Sequence, residues 1–213
     1  MGSRRGFTVV EMAISLVLVG VISGIFILTT QTTSSAVRTG VAVADLDSNV
    51  VRSIERVCEA LKSSSAELTS PQAEAPFAGE TVDYQKGLGT AEDGTPIWGP
   101  VERFELQYDE NDDGVDNDGD GLVDEGVLVW IENPDAAGER TVVVCHDVRE
   151  YLEGETFDGD DENGNGLIDE RGFALDFDEN RVRVRLTLEA RDSRGNTIVS
   201  TVERTIAFRN AGE

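Results

Sequence analysis

Two short stretches hold the residues best placed to do chemistry. Segments 109–125 and 158–170 carry 15 of the chain's 42 acidic residues in 30 positions, and the acids are spaced rather than massed. Asp109, Asn111 and Asp113 put side-chain oxygens at positions 1, 3 and 5 of a loop. Gly114 follows at 6, the carbonyl of Val115 at 7, and Asp120 at 12. Seven residues on, Asp116, Asp118, Asp120, Gly121 and Leu122 repeat the order. Val127 stands at position 12 of this register, so Asp124 or Glu125 must close it. Oxygens so placed converge on one cation, and the glycine permits the sharp turn that brings them round. Without a cation, carboxylates this close repel each other.

Residues 158–170 align with 113–125 without a gap. Asp158, Asp161, Asn163, Asn165, Leu167, Asp169 and Glu170 fall on Asp113, Asp116, Asp118, Asp120, Leu122, Asp124 and Glu125. Asparagines at two ligand positions lower the charge of the second loop and with it the expected affinity. A flexible loop of many oxygens suits calcium rather than magnesium. Two sites, or three, are expected, acting to fix the connections of a sheet and to shape a contact surface. The spacing follows the logic of an EF-hand loop. No flanking helices are expected, however, and the loops more closely resemble those of dockerins and thrombospondin type 3 repeats.

The elements that must hold these loops are strands. Period-2 apolar patterning predicts strands over 102–108, 126–132, 140–148, 181–190 and 197–208. Val182, Val184, Leu186 and Leu188 form one face of a strand, with arginines and threonine opposite. Gly195 and Asn196 can supply the positive φ angles of a hairpin to the last strand. Upstream, Val43, Leu46, Val50, Ile54, Val57 and Leu61 recur at steps of three and four, one stripe on a helix. Ser63-Ser64-Ser65, Pro71 and Pro76 end it. The expected fold is α+β, a long N-terminal helix packed on a C-terminal antiparallel sheet.

The formal charge of −24, from 42 acids against 18 bases, excludes nucleic acid and anionic lipid headgroups as direct partners. A single histidine, His146, leaves little for histidine catalysis or zinc. Cys145 and His146 are adjacent in a strand and point to opposite faces, so they make no nucleophile–base pair. No nucleophile elbow, phosphate loop or metalloprotease motif occurs, and no enzymatic activity is expected. Cys58 and Cys145 allow one disulfide in an oxidising compartment, or two buried free thiols.

The N-terminus supplies the most specific signal. Arg4-Arg5-Gly6 precedes Phe7-Thr8-Val9-Val10-Glu11-Met12 and an apolar run to Leu28. Phe7 to Leu28 is 22 residues, about 33 Å as a helix, the thickness of a bilayer core. Arg4 and Arg5 place the short side in the cytoplasm. Glu11 within this span would cost roughly 2.5–3.5 kcal/mol unless it has a partner. The arrangement resembles the class III leader of type IV pilins and type II secretion pseudopilins.

The resemblance implies that a prepilin peptidase cuts after Gly6 and methylates the new N-terminus, Phe7. It implies also that Glu11 pairs with the Phe7 amine of a neighbouring subunit. Loss of Arg4 and Arg5 would take the formal charge from −24 to −26. The domains expected are a leader over 1–6, a transmembrane half-helix over 7–28, a periplasmic amphipathic half over 29–65, and a β-rich periplasmic domain over 66–213. Length and the strand-rich C-terminal half favour a J-type minor pseudopilin. The ending Arg204 to Asn210 is similar to the final strand of that type, and retention of Glu11 speaks against the K-type tip subunit. The alternative is a pilin or minor pilin of a surface type IV pilus, adhesive through its calcium loops. A tethered enzyme that borrowed the leader is the competing class. The partners implied are sibling subunits of the filament, the prepilin peptidase and the inner-membrane assembly platform. The chain would sit single-pass in the inner membrane before entering a periplasmic pseudopilus.

Overall fold

A computed structural model describes residues 8–71, 78–108, 113–178 and 181–208. One helix, α1, runs Val9–Lys62. Three threonines in its polar middle are β-branched and poor helix formers. The hydroxyls of Thr29, Thr30 and Thr32 donate to the carbonyls of Ile25, Phe26 and Leu28 at 2.8, 2.8 and 2.9 Å, so each spends its polar group inside the helix. The Ser63 and Ser64 amides donate to the carbonyls of Ala60 and Leu61 at 3.1 and 3.0 Å, tightening the last turn where α1 stops.

The chain divides into two compact units, residues 1–41 and 42–213. In the first, the large apolar side chains from Val9 to Leu28 are exposed. That part of α1 is long and apolar enough to cross a membrane. In the second, the end of α1 buries Leu46, Val50, Ile54, Val57 and Leu61, with Ser53 and Cys58 beside them. Val43, expected to head this stripe, is 40% exposed, so the buried face begins at Leu46.

The sheet has eight strands, all paired antiparallel: β1 Ala78–Gly79, β2 Thr81–Thr90, β3 Pro96–Tyr108, β4 Gly126–Glu132, β5 Arg140–Val148, β6 Phe173–Asp178, β7 Arg181–Arg191 and β8 Thr197–Ala207. β2 to β5 are hydrogen-bonded in sequence order. β7 pairs with β8 along its length. The other edge of β7 is shared between β6, over Arg181 to Leu186, and the end of β5, where Val148 faces Leu188. One core joins Leu46, Val50, Ile54 and Leu61 of the helix to Phe104, Leu128, Phe173, Val184 and Leu186 of the sheet. The fold is thus α+β, a long helix packed on an antiparallel sheet.

All five expected strands are present, and β1, β2, β6 and the first part of β3 are additional. Gly87 and Gly89 break the alternation of β2 and coincide with shifts in its register. Phe173, Ala174, Leu175 and Phe177 of β6 are all buried, so it shows no period-2 signal. In the β7–β8 turn only Gly195 has positive φ, 81°. Asn196 instead donates its amide to Asp192 Oδ1 at 2.9 Å.

Both acidic segments leave the same end of the sheet. Tyr108 faces Gly126 across the first connection, and Gly126 faces Val148, where the second begins. The second connection is clamped at its base. The Gly172 amide donates to the Glu150 carbonyl at 3.0 Å, and its own carbonyl accepts the Thr187 amide at 2.7 Å. A Cβ on Gly172 would lie 1.8 Å from the Arg149 carbonyl oxygen, a backbone atom with nowhere to go. Gly172→Ala is therefore expected to destabilise the sheet unit by about 3 kcal/mol or more. Denaturant unfolding of the detergent-purified chain measures this, and a loss below 1 kcal/mol would contradict the clamp.

Candidate functional site

Residues 113–125 and 158–170 share one set of turn hydrogen bonds. In the first, the amides of Gly119 and Gly121 donate to Asp116 Oδ1 and Oδ2 at 2.6 and 2.9 Å. In the second, Gly164 and Gly166 do the same to Asp161 Oδ1 and Oδ2, both at 2.7 Å, and the Asn165 amide joins at 3.1 Å. The Asp120 amide donates to Asp118 Oδ1 and the Asn165 amide to Asn163 Oδ1, at 2.9 and 3.0 Å. The Leu122 and Leu167 amides close onto Asp120 Oδ1 and Asn165 Oδ1 at 2.7 and 2.8 Å. Each side chain at positions 1, 3 and 5 thus organises the turn after it. One oxygen from each of Asp116, Asp118 and Asp120 lies within 4.8 Å of the others.

Backbone angles repeat as well. Gly121 and Gly166, at position 6 of their loops, have φ of 97° and 89°, as the sharp turn requires. Asp124 and Asp169 sit at 55° and 51°, in a left-handed region that aspartate tolerates. Their carboxylates turn back to the start of each loop. The Asp113 and Gly114 amides donate to Asp124 at 3.2 and 2.8 Å, and the Asp158 and Gly159 amides to Asp169, both at 3.1 Å. Asp113 and Asp158 accept further amides, from Val115 and Asp160, at 3.0 Å each. Leu122 and Leu167, singled out for their carbonyls, also have buried side chains that anchor the loops. Asp109 and Asn111 lie outside the described residues, as do Gly6 and Phe7.

Glu125 and Glu170, at the ends of the aligned segments, are buried. Glu170 Oε2 accepts from the Asn163 and Asn165 side-chain amides at 3.0 and 2.7 Å. Glu170 Oε1 pairs with the Arg185 guanidinium, which also reaches Glu203 at 3.0 Å. A third carboxylate, Glu155, was not found from the sequence. It lies outside the aligned repeat, six residues ahead of Asp161. Its Oε1 accepts the Asn163 amide at 3.3 Å. Burial, followed by the charges of Glu170 and Glu162, raises its carboxyl above the ordinary range.

Between the loops lies a cavity of about 310 Å³, walled by Gly121 and Leu122 on one side, by Tyr151, Glu155 and Phe157 on another, and by Arg191. Arg191 donates from one guanidinium nitrogen to the Gly121 carbonyl and from another to that of Gly195 at 2.6 Å, tying the first loop to the β7–β8 turn. Arg171 holds the base of the second loop. Its guanidinium pairs with Glu150 at 2.7 Å and lies 4.4 Å from the Tyr151 ring centroid.

At the start of α1, Glu11 has a partner that the sequence reading missed. The Thr8 amide and hydroxyl both donate to Glu11 Oε2 at 2.8 Å, and the Glu11 amide donates to Thr8 Oγ1 at 3.2 Å. This is a capping box, and Thr8-x-x-Glu11 is its sequence signature. The cap satisfies hydrogen bonds but brings no positive charge.

Cys58 and Cys145 are both buried and both free thiols. Cys145 lies against Ser53, whose side chain hydrogen-bonds the thiol. Cys58 is five residues beyond Ser53 along α1, roughly 7.5 Å of rise. Burial pushes the Cys145 thiol up to about 11 and raises that of Cys58. His146, next to Cys145, is exposed. Comparison with family models, curated proteins and solved structures returned no match to the chain.

At pH 8, alkylation of either thiol in the native chain is expected to run at least ~50-fold slower than that of a free cysteine. Labelling at the free rate would contradict the buried placement. A denatured, unreduced sample that fails to label would instead show that the two are joined.

Proposed function

We propose that this chain is a structural subunit of a filament built from the inner membrane, a minor pseudopilin of the J type. The observation that carries the reading is the continuity of α1. One helix begins with an exposed apolar half of membrane length and ends as an amphipathic half buried on an antiparallel sheet. An apolar half whose large side chains are exposed among the described residues is suited to a lipid or protein environment, and a bundle of identical half-helices supplies one. Cleavage after Gly6 and methylation of Phe7 would prepare the chain for that bundle.

In this reading Glu11 serves twice. Thr8 satisfies its hydrogen bonds within the chain, and the Phe7 amine of a neighbour would balance its charge after assembly. The work of the protein is mechanical rather than catalytic, with the sheet unit on the periplasmic side. Calcium would be held in the first loop by Asp116, Asp118, Asp120 and the Leu122 carbonyl. In the second it would be held by Asp161, Asn163, Asn165 and the Leu167 carbonyl. An all-oxygen donor set on a flexible loop favours calcium. The ion would neutralise clustered acid and stiffen the two connections at one end of the sheet.

Glu11→Gln separates the two roles of Glu11, because glutamine preserves the cap and removes the charge. The variant is expected to insert into the membrane normally and to enter filaments at a tenth or less of the wild-type level. Wild-type incorporation would overturn the pairing. Intact-mass spectrometry of the mature chain is expected to show a methylated N-terminal Phe7. An intact Met1 beside an active prepilin peptidase would overturn the family reading.

A further inference from the structure

Glu155 stands outside both repeats, yet it is 2% exposed and directed into the second loop. One of its oxygens accepts the Asn163 amide. The other, Oε2, is buried with no hydrogen-bond partner among the described residues. A buried carboxylate oxygen left without a donor is strongly unfavourable, more so beside a second buried carboxylate. Glu170 is that neighbour, also 2% exposed, and the Arg185 guanidinium engages Glu170 rather than Glu155. Among the described residues no salt bridge reaches Glu155. Glu155 itself is thus left without a counter-charge in contact among the described residues.

We propose that Glu155 is a ligand of the cation held by the second loop, supplied by the chain ahead of the repeat. This rests on the calcium reading above and extends it. The second loop has asparagine at two positions where the first has aspartate, so its own ligands bring less charge. Glu155 returns a full negative charge from a buried position, where it is screened less than a charge at the surface. Its bond to the Asn163 amide holds it at the ligand position next to Asp161, and Asn163 and Asn165 both reach Glu170 across the same centre. The offset that superposes the loops carries Glu155 onto Glu110, so a glutamate three residues ahead of the first aspartate is common to both sequences. The second site therefore spans the whole connection between β5 and β6. Calcium there would tie the incoming arm to the outgoing one.

The test is calcium titration by calorimetry on the full chain in detergent, stripped of metal, in an Asp116→Ala background that leaves the second loop as the reporting site. Adding Glu155→Gln is expected to raise the calcium Kd of that site at least tenfold. Adding it to Asp161→Ala as well is expected to change nothing further. In EGTA the Glu155→Gln chain should melt no lower than its parent, since glutamine keeps an acceptor for the Asn163 amide and removes a buried charge. Should it melt lower, Glu155→Asp, which keeps the charge but withdraws it by one methylene, carries the same comparison. A Kd unchanged within twofold would overturn the role of Glu155 and leave calcium in the loops. No calcium heat from the wild-type chain would overturn the calcium reading, and this proposal with it.

Discussion

The burial of one stripe of α1 against the sheet is the interaction on which the rest of the structure depends. Val50, Ile54, Val57 and Leu61 are completely buried and share a core with Phe173, Leu175, Val184 and Leu186. Each such side chain contributes roughly 1.5–3 kcal/mol on leaving water. That packing fixes β7, which pairs with β5, β6 and β8, and β7 in turn fixes where both acidic connections emerge. From Val9 to Leu28 the large apolar side chains of the same helix are exposed. The two halves of one element thus differ, one with a stripe buried on the sheet and the other apolar and exposed.

The acidic loops follow a second constraint, the need to satisfy backbone amides in turns that pair with no strand. In both loops aspartates and asparagines at alternate positions accept those amides, and glycines take the positive φ angles. In the first loop Asp116, Asp118 and Asp120 come together, so the turn gathers negative charge. In the calcium reading proposed above, a divalent cation would relieve the repulsion within such a cluster. The arrangement at one end of the sheet, with Arg191 and Arg171 as the nearby cationic ties, confines that charge to the base of the two connections.

Much of this was legible in the sequence because periodicity and spacing are local. The stripe from Leu46 to Leu61, the alternation of Val182 to Leu188 and the gapless repeat of 113–125 in 158–170 each depend only on neighbours along the chain. What stayed hidden depends on neighbours in space. β6 is buried on both faces and shows no alternation, and the pattern of β2 is broken by Gly87 and Gly89. Cys145 meets Ser53 rather than Cys58 because of where β5 crosses α1, which no spacing reveals. Glu155 lies outside the repeat, and only the fold brings it to Asn163. The Thr8–Glu11 cap was the exception: its signature was present in the sequence, but the cost of a carboxylate in a membrane span drew attention to its charge instead.

The central claim is that the chain works as a minor component of a filament. Quantitative mass spectrometry of purified periplasmic filaments, with this chain measured against the most abundant subunit, tests it most directly. The account predicts a trace amount, well below stoichiometric, with sibling minor subunits co-purifying. Near-stoichiometric abundance would make it the principal building block and contradict the minor role. Absence from every filament preparation would contradict assembly itself.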